Sequence, residues 1–414
     1  MESLEPPSPI PEETRSEFER PATTGPIRAY TTAQCVSAIG SWMQKTAMGW
    51  LAWDLTHSVQ WVGAMALMEL LSLLWVAPLA GTMADRRSPY VVFMTTQRLL
   101  LLNALVLCAL SAFGAMTIGL LMMFALIEST ISGFNNPVRM TTINFLAPEG
   151  GISQAIAMNS VGIAVARSIG PAAAGLLLAK GGAAAVFAVN SASFLAMIFV
   201  LSRLRGYIHH PPGTHHRPFL QDMAGGFAYV ARTPAIALIV GAAVIFALLA
   251  RPFSELLPAF AGAVFAGGPQ TLGLLLTAQG LGAMAGAVFM MKRHGGKPLI
   301  PLMFASGAGM CVFLLIFCVT RDLRVALPAM AAVGVCHVIC NISLQSLLQH
   351  RAEPAYRGRV LSIFSLLFRS GPAVGAFAIG MAAPWLGLPN LVGTAGVLAA
   401  GLMLLLSRRA GRVA

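Results

Sequence analysis

Nine ionisable side chains interrupt long apolar runs: Lys45, Glu69, Arg98, Glu128, Arg167, Arg251, Glu255, His337 and Arg369. A charge at the centre of a hydrocarbon layer costs about 2.5–3.5 kcal/mol even on the lenient insertion scale, so each needs a partner or a task. Lys45, Glu69, Glu128, Arg167, His337 and Arg369 fall near the middle of their runs, and Arg98, Arg251 and Glu255 nearer an end. Glu69 and Glu128 are the deep carboxylates of the first half, with no partner on their own helix faces. A carboxylate so placed suits proton coupling, taking up a proton on one side and releasing it on the other. Glu128 leads, because Asn135 and Asn136 lie two helical turns along from it. Arg251 and Glu255, four apart, are expected to neutralise each other on one helix. Five of these side chains are positive and three negative. That balance favours an anionic or catechol-like small molecule over a lipophilic cation. Lys45, Asn136, Arg167, His337 and Arg369 are the candidate lining of a cavity for it, although Lys45, Arg167 and Arg369 read equally well as structural.

Metal chemistry is a poorer fit. Cys336, His337 and Cys340 share a helix face, but two thiols and one imidazole in hydrocarbon leave a tetrahedral site without its fourth ligand. The six cysteines, at 35, 108, 311, 318, 336 and 340, all lie in apolar runs and read as small core residues. No cofactor is expected, and neither an ATP-binding motif nor a catalytic constellation is present.

The elements that must position these groups follow from composition. The chain has 414 residues, of which 57% are apolar and only 10% charged, with a mean hydropathy of +0.75. Soluble domains carry about 25% charged residues, so the chain is expected to be an all-α protein of the lipid bilayer, in which backbone groups must bond within their own helices. Apolar runs bounded by turn residues predict twelve spans, near 28–55, 59–84, 90–112, 115–138, 152–179, 183–203, 234–258, 270–291, 298–319, 325–350, 356–383 and 389–407. Residues 1–27 form an acidic tail with Glu2, Glu5, Glu12, Glu13, Glu17 and Glu19 and lack a signal pattern, so insertion is expected to depend on the first span. The domains expected are that tail, a bundle over 28–203, a linker over 204–233, a second bundle over 234–407 and a basic tail over 408–414. The linker holds His209, His210, His215 and His216 around Pro-Pro and Gly, a flexible connection rather than a metal tract, then an amphipathic stretch from Phe219 to Ala231. The tail, the even-numbered connections and the C-terminal end carry 19 of the 27 Lys and Arg, against three on the opposite side, which places both termini in the cytoplasm. This asymmetry accounts for the net charge of +12 without nucleic acid. A monomer is expected.

An internal repeat supports two parallel halves. Arg167-Ser168-Ile169-Gly170-Pro171 in the fifth span corresponds to Arg369-Ser370-Gly371-Pro372 in the eleventh. Gly170, Pro171, Gly371 and Pro372 are candidate hinges, since proline removes a helix hydrogen bond and glycine permits close packing.

The stretch Gly81-Thr-Met-Ala-Asp85-Arg86-Arg87 resembles the loop between the second and third helices of major facilitator superfamily transporters, although Ser88 and Pro89-Tyr90 replace the Gly and basic residues of its second half. With Trp42–Met65, Phe134–Arg139, Met158–Leu178 and Gly280–Ala287, the chain is similar over about 28–407 to the secretion-effector branch, that of the enterobactin exporter and macrolide-type efflux proteins. The resemblance implies the major facilitator fold, twelve transmembrane helices in two six-helix halves. It implies a secondary transporter of the inner membrane, not an enzyme, exporting a siderophore-like or drug-like molecule by alternating access with proton antiport. It also implies a conformational latch: Gly81 and Asp85 facing the start of the eleventh helix, with Arg86 and Arg359 as partners for the carboxylate. The rival readings are a lipid or lysolipid flippase and a non-transporting membrane sensor or assembly partner.

Overall fold

The computed structural model describes residues 23–86, 88–208, 219–293 and 298–413. Twelve helices of useful length carry the chain: α1 (Gly25–Thr56), α2 (Val59–Arg86), α3 (Pro89–Ala112), α4 (Ile118–Leu146), α5 (Ile152–Arg203), α6 (Phe219–Arg232), α7 (Pro234–Ile245), α8 (Pro269–Lys292), α9 (Leu299–Val319), α10 (Leu323–Arg351), α11 (Arg357–Leu386) and α12 (Leu388–Val413). Helix number and span number differ at two points. α5 holds 52 residues and bends at Gly182, whose φ of 68° suits a residue without Cβ, so it supplies two spans. α6 is short and amphipathic and supplies none. Among the described residues nine helical segments are long and apolar enough to cross a membrane, one of them this bent α5. α1 and α2, 32 and 28 residues long, complete a count consistent with twelve spans. The protein is an all-α, multi-pass membrane protein.

Several helices carry a proline in their first two positions, as α1, α3, α7 and α8 do, where the missing N–H would have had no intrahelical partner. The seventh span departs from a plain helix. After α7 the backbone passes through a π turn at Phe246–Ala250, a 3-10 turn at Pro252–Ser254 and a second π turn at Phe260–Val264. Pro252 and Pro258 forbid a continuous ladder there.

Packing divides the helices into two bundles. α1 lies along α5, α2 along α4, and α3 against both α4 and α5. In the second bundle α10 packs on α8 and α9, and α12 on α9. The bundles meet chiefly along α2 with α11 and α5 with α8. Glycines set the closeness of both seams. A methyl group on Gly175 would sit 2.8 Å from the Cα of Gly273, and one on Gly63 would sit 2.7 Å from the carbonyl oxygen of Ala376. Both seams are tightest at the end of the molecule where α1 turns into α2 and where α5 bends. At that same end the Trp53 indole packs onto Gly262 of the seventh span.

Candidate functional site

The mid-helix ionisable groups meet between the two bundles. The ammonium of Lys45, on α1, lies 2.6 Å from Glu69 Oε1 on α2 and 3.8 Å from Glu255 Oε2 in the seventh span. One cation thus serves a carboxylate from each bundle. The Lys45 and Glu69 side chains keep 38% and 55% of their surface exposed, so the pair borders open space rather than closed core. The charges of Glu128 and Arg369 also act on this group, the first on Lys45 and the second on Glu69.

Glu128, on α4, accepts a hydrogen bond of 2.7 Å from Gln44 Nε2. Gln44 Oε1 accepts in turn from Asn190 Nδ2 at 2.7 Å, and Ser193 donates to Asn190 Oδ1 at 3.0 Å. Gln44, Asn190 and Ser193 are all buried. This chain fixes the face of α1 that carries Lys45, because Gln44 has both ends of its amide occupied. Gly40 leaves the room it needs: a side chain there would run into Ser193 at 2.5 Å.

The second bundle presents a different surface. The Arg251 guanidinium lies 3.8 Å from the centre of the Phe368 ring and donates to the Phe368 carbonyl. His337 lies nearly parallel to the same ring, at 6.1 Å and 18°, and 5.8 Å from the ring of Phe246. Arg251 Nε and His337 Nε2 are buried without a hydrogen-bond partner. Across the interface the charge of Arg167 acts on both Arg251 and His337, while its guanidinium lies over the Trp42 ring at 5.2 Å. Two guanidiniums, one imidazole and three further aromatic rings are thus contributed by α1, α5, α10, α11 and the seventh span.

Glu69 and Glu128, without partners on their own helix faces, find them on α1. One sequence expectation changes. Arg251 and Glu255 do not form an ion pair among the described residues: Glu255 turns to Lys45, and Arg251 to Phe368. Their four-residue spacing would align them on an α-helix, but the backbone between 246 and 256 runs through π and 3-10 turns, and the charge of Glu255 acts on Arg251 without a direct ion pair. Gln44, Asn190, Ser193 and Phe368 escaped the reading of charged residues. The signal for Gln44 was present, since a glutamine beside Lys45 deep in an apolar run also needs partners.

Gly170 and Gly371 pack at matching places. A side chain on Gly170 would meet Trp42 Cβ on α1 at 2.6 Å, and one on Gly371 would meet Ala247 Cβ in the seventh span at 2.6 Å. Pro171 and Pro372 lie inside their helices, and the one non-helical residue within α5 is Gly182. Of the latch residues, the side chains of Gly81, Asp85 and Arg86 lie outside the described residues, as does that of Asn136 among the cavity residues. Arg359 stacks on Tyr356 at 5.5 Å, beside α6. There the Tyr229 ring of α6 stacks on Tyr356 at 4.4 Å and 2°, so α6 is docked on the start of α11 rather than on lipid alone. The linker histidines 209, 210, 215 and 216 lie outside the described residues. Among the described residues no group of three His, Cys, Asp or Glu is placed to hold a metal ion, and the six cysteines are free.

The family described as transmembrane secretion effector matches residues 20–412, almost the full chain. The chain belongs to this family of major facilitator transporters. Curated relatives of this secretion effector include the staphyloferrin A transporter of Staphylococcus aureus, 20% identical over 79% of this chain and 82% of the relative. The enterobactin exporter of Escherichia coli is 23% identical over 86% of this chain and 84% of its own. Among solved structures the chain resembles an inward-facing bacterial homologue of the lysosomal transporter Spinster, with a TM-score of 0.71 at 14% identity, covering 94% of this chain and 98% of that one. An inward-facing bacterial homologue of ferroportin gives a TM-score of 0.70 at 15% identity, covering 92% and 98%. These likenesses establish the fold. The protein is a membrane transporter, with a small molecule as its substrate, and not an enzyme.

Proposed function

We propose that this secretion effector exports an anionic small molecule across a bacterial inner membrane by alternating access, in exchange for protons. The observation that carries the reading is the position of Lys45 between Glu69 of one bundle and Glu255 of the other. Alternating access needs an interbundle contact that can be made and released. Parting Lys45 from Glu255 ends the interbundle attraction, so the bundles can separate at the end where they now meet most closely. A proton taken up by Glu128 changes the charge acting on Lys45 and so ties this contact to the pH gradient. Glu128, held by Gln44 on the turn that bears Lys45, is placed to pass a proton to or from this group.

The cargo end of the proposal rests on Arg167, Arg251 and His337. The charges of Arg167 and Arg251 and the unpartnered Arg251 N–H suit an acidic group, the His337 ring nitrogen offers a further hydrogen-bonding site, and Trp42, Phe246 and Phe368 suit a flat ring beside it. The names of the relatives point the same way, toward siderophore-like acids. Lys45 and Arg369 border the same space, and Gly170-Pro171 with Gly371-Pro372 are the pivots of the two halves. The halves themselves are 28–203 and 234–407, joined by 204–233, with both termini cytoplasmic by charge asymmetry. The tight seams then close the outer end, and Gly81, Asp85, Arg86 and Arg359 form the inner latch beside α6. The unit is a monomer.

The test is export of a labelled catecholate or citrate-type siderophore into everted vesicles under an imposed pH gradient. Wild type accumulates the label only with the gradient, and Glu69→Gln, Glu128→Gln and Glu255→Gln lose that dependence to different degrees. Full gradient dependence in all three variants would overturn proton coupling. Equal transport of a neutral analogue would overturn the anionic cargo.

A further inference from the structure

A groove of about 670 Å³ runs along the outside of the second bundle, between α9, α10 and α12. Its floor is apolar, with Leu299, Phe304, Ala308, Leu347 and Met403 among its lining. Among the described residues its polar side chains are Arg351 and Ser407, and none of its lining is a carboxylate. Both lie in the part of the sequence where α10 and α12 end, at the level where α9 begins. Arg351 is exposed in the last turn of α10. A second guanidinium shares that rim, because Arg293 Nη2 donates to the carbonyl of Pro298, a lining residue, at 3.1 Å. The groove is therefore greasy along its length and cationic at one end.

Its length is informative. The lining on α9 runs from Pro298 to Ala308, and at 1.5 Å per residue this is about 15 Å. The hydrocarbon core of a bilayer is about 30 Å thick, so the groove spans one leaflet and stops. We infer that it is a binding site for one anionic phospholipid, an acyl chain lying along α9 and the headgroup phosphate held by Arg351 and Arg293. A guanidinium pairs with phosphate through charge-assisted, often bidentate hydrogen bonds, and cationic pockets between transmembrane helices are known sources of headgroup selectivity. The lining also gives the sign of that selectivity. A zwitterionic headgroup brings an ammonium that would need a carboxylate or other acceptor at the rim, and among the described residues the lining offers no carboxylate. The site lies on the lipid-facing side of α9, α10 and α12, away from Lys45 and Arg251, so it stands whether or not the transport reading does.

The experiment is native mass spectrometry of the full-length protein titrated with phosphatidylglycerol, phosphatidylcholine or glycerol 3-phosphate. One phosphatidylglycerol should be held about five- to tenfold more tightly than phosphatidylcholine. Arg351→Ala should bring the two lipids to parity, and Ala305→Phe, which fills the groove from an exposed position, should weaken both. Glycerol 3-phosphate alone should not displace the bound lipid. Equal retention of the two lipids by the unaltered protein would overturn the inference, as would an unchanged preference in Arg351→Ala. Complete displacement by glycerol 3-phosphate would also overturn it, since a headgroup would then suffice without the chain.

Discussion

The two bundles bring opposite chemistry to the space between them. The first carries Glu69 and Glu128, and both carboxylates are engaged, by Lys45 and by Gln44. The second carries Arg251 and His337, stacked on Phe368 and each with a buried nitrogen unpartnered. A satisfied acid is ready to exchange its partner, whereas a buried nitrogen without a partner is ready to receive one. The repeat in sequence therefore built two similar scaffolds, and the side chains divided the labour between them. Glu255 is the exception that joins them, a second-bundle carboxylate turned to a first-bundle lysine.

The severest way to break this comparison is Lys45→Met. It leaves Glu69 and Glu255 facing one another without their cation. Removing one partner of a fully buried pair costs about 3–5 kcal/mol. Here the exposure of 38% and 55% screens the charges, so a loss nearer about 2 kcal/mol is expected. Thermal unfolding in detergent measures it, and gradient-driven export should fall to background. Adding Glu69→Gln should restore part of the stability, and a double-mutant cycle should return a coupling of roughly 0.5–3 kcal/mol. Strict additivity would show that the pair does not hold the two helices.

Next comes Gln44→Leu, which deprives Glu128 of its donor and Asn190 of its acceptor. A buried polar group without a partner costs about 1–3 kcal/mol, and the unfolding temperature should drop accordingly. Gln44→Glu, which still accepts from Asn190 but places a second carboxylate beside Glu128, should be worse for export than for stability. If both variants unfold as the wild type does, the polar chain across α1, α4 and α5 has no structural weight.

The smallest expected effect sharpens the second bundle. Arg251→Lys keeps the positive charge but loses the flat face against Phe368, a contact worth about 0.5–2 kcal/mol. Binding of an acidic cargo should weaken by about twofold to roughly thirtyfold, at 1.4 kcal/mol per decade, while the response to a pH gradient stays. Isothermal titration with the purified transporter reads the first quantity and vesicle export the second. A change confined to the gradient response would reverse the division of labour drawn between the bundles.

Much of this molecule was legible in its sequence. Hydrocarbon leaves backbone groups no partner but their own helix, so apolar runs translate directly into spans, and the break expected between 179 and 183 falls at Gly182. The same rule flagged Lys45, Glu69, Glu128, Arg167, His337 and Arg369, because a charge in lipid must be explained. The amphipathic stretch within the linker is the helix α6, Phe219–Arg232.

Partnership was another matter. Helix periodicity predicts neighbours three and four residues apart, and it paired Arg251 with Glu255 across a backbone that is not α-helical there. Lys45 meets Glu69 and Glu255, and Gln44 meets Glu128 and Asn190, only because α1 is pressed between α5, α4 and the seventh span at distances that small residues such as Gly40 and Gly170 permit. Local spacing along one helix determines which groups must be answered for. Which group answers depends on how helices far apart in the chain rotate and close against one another, and packing in three dimensions decides that.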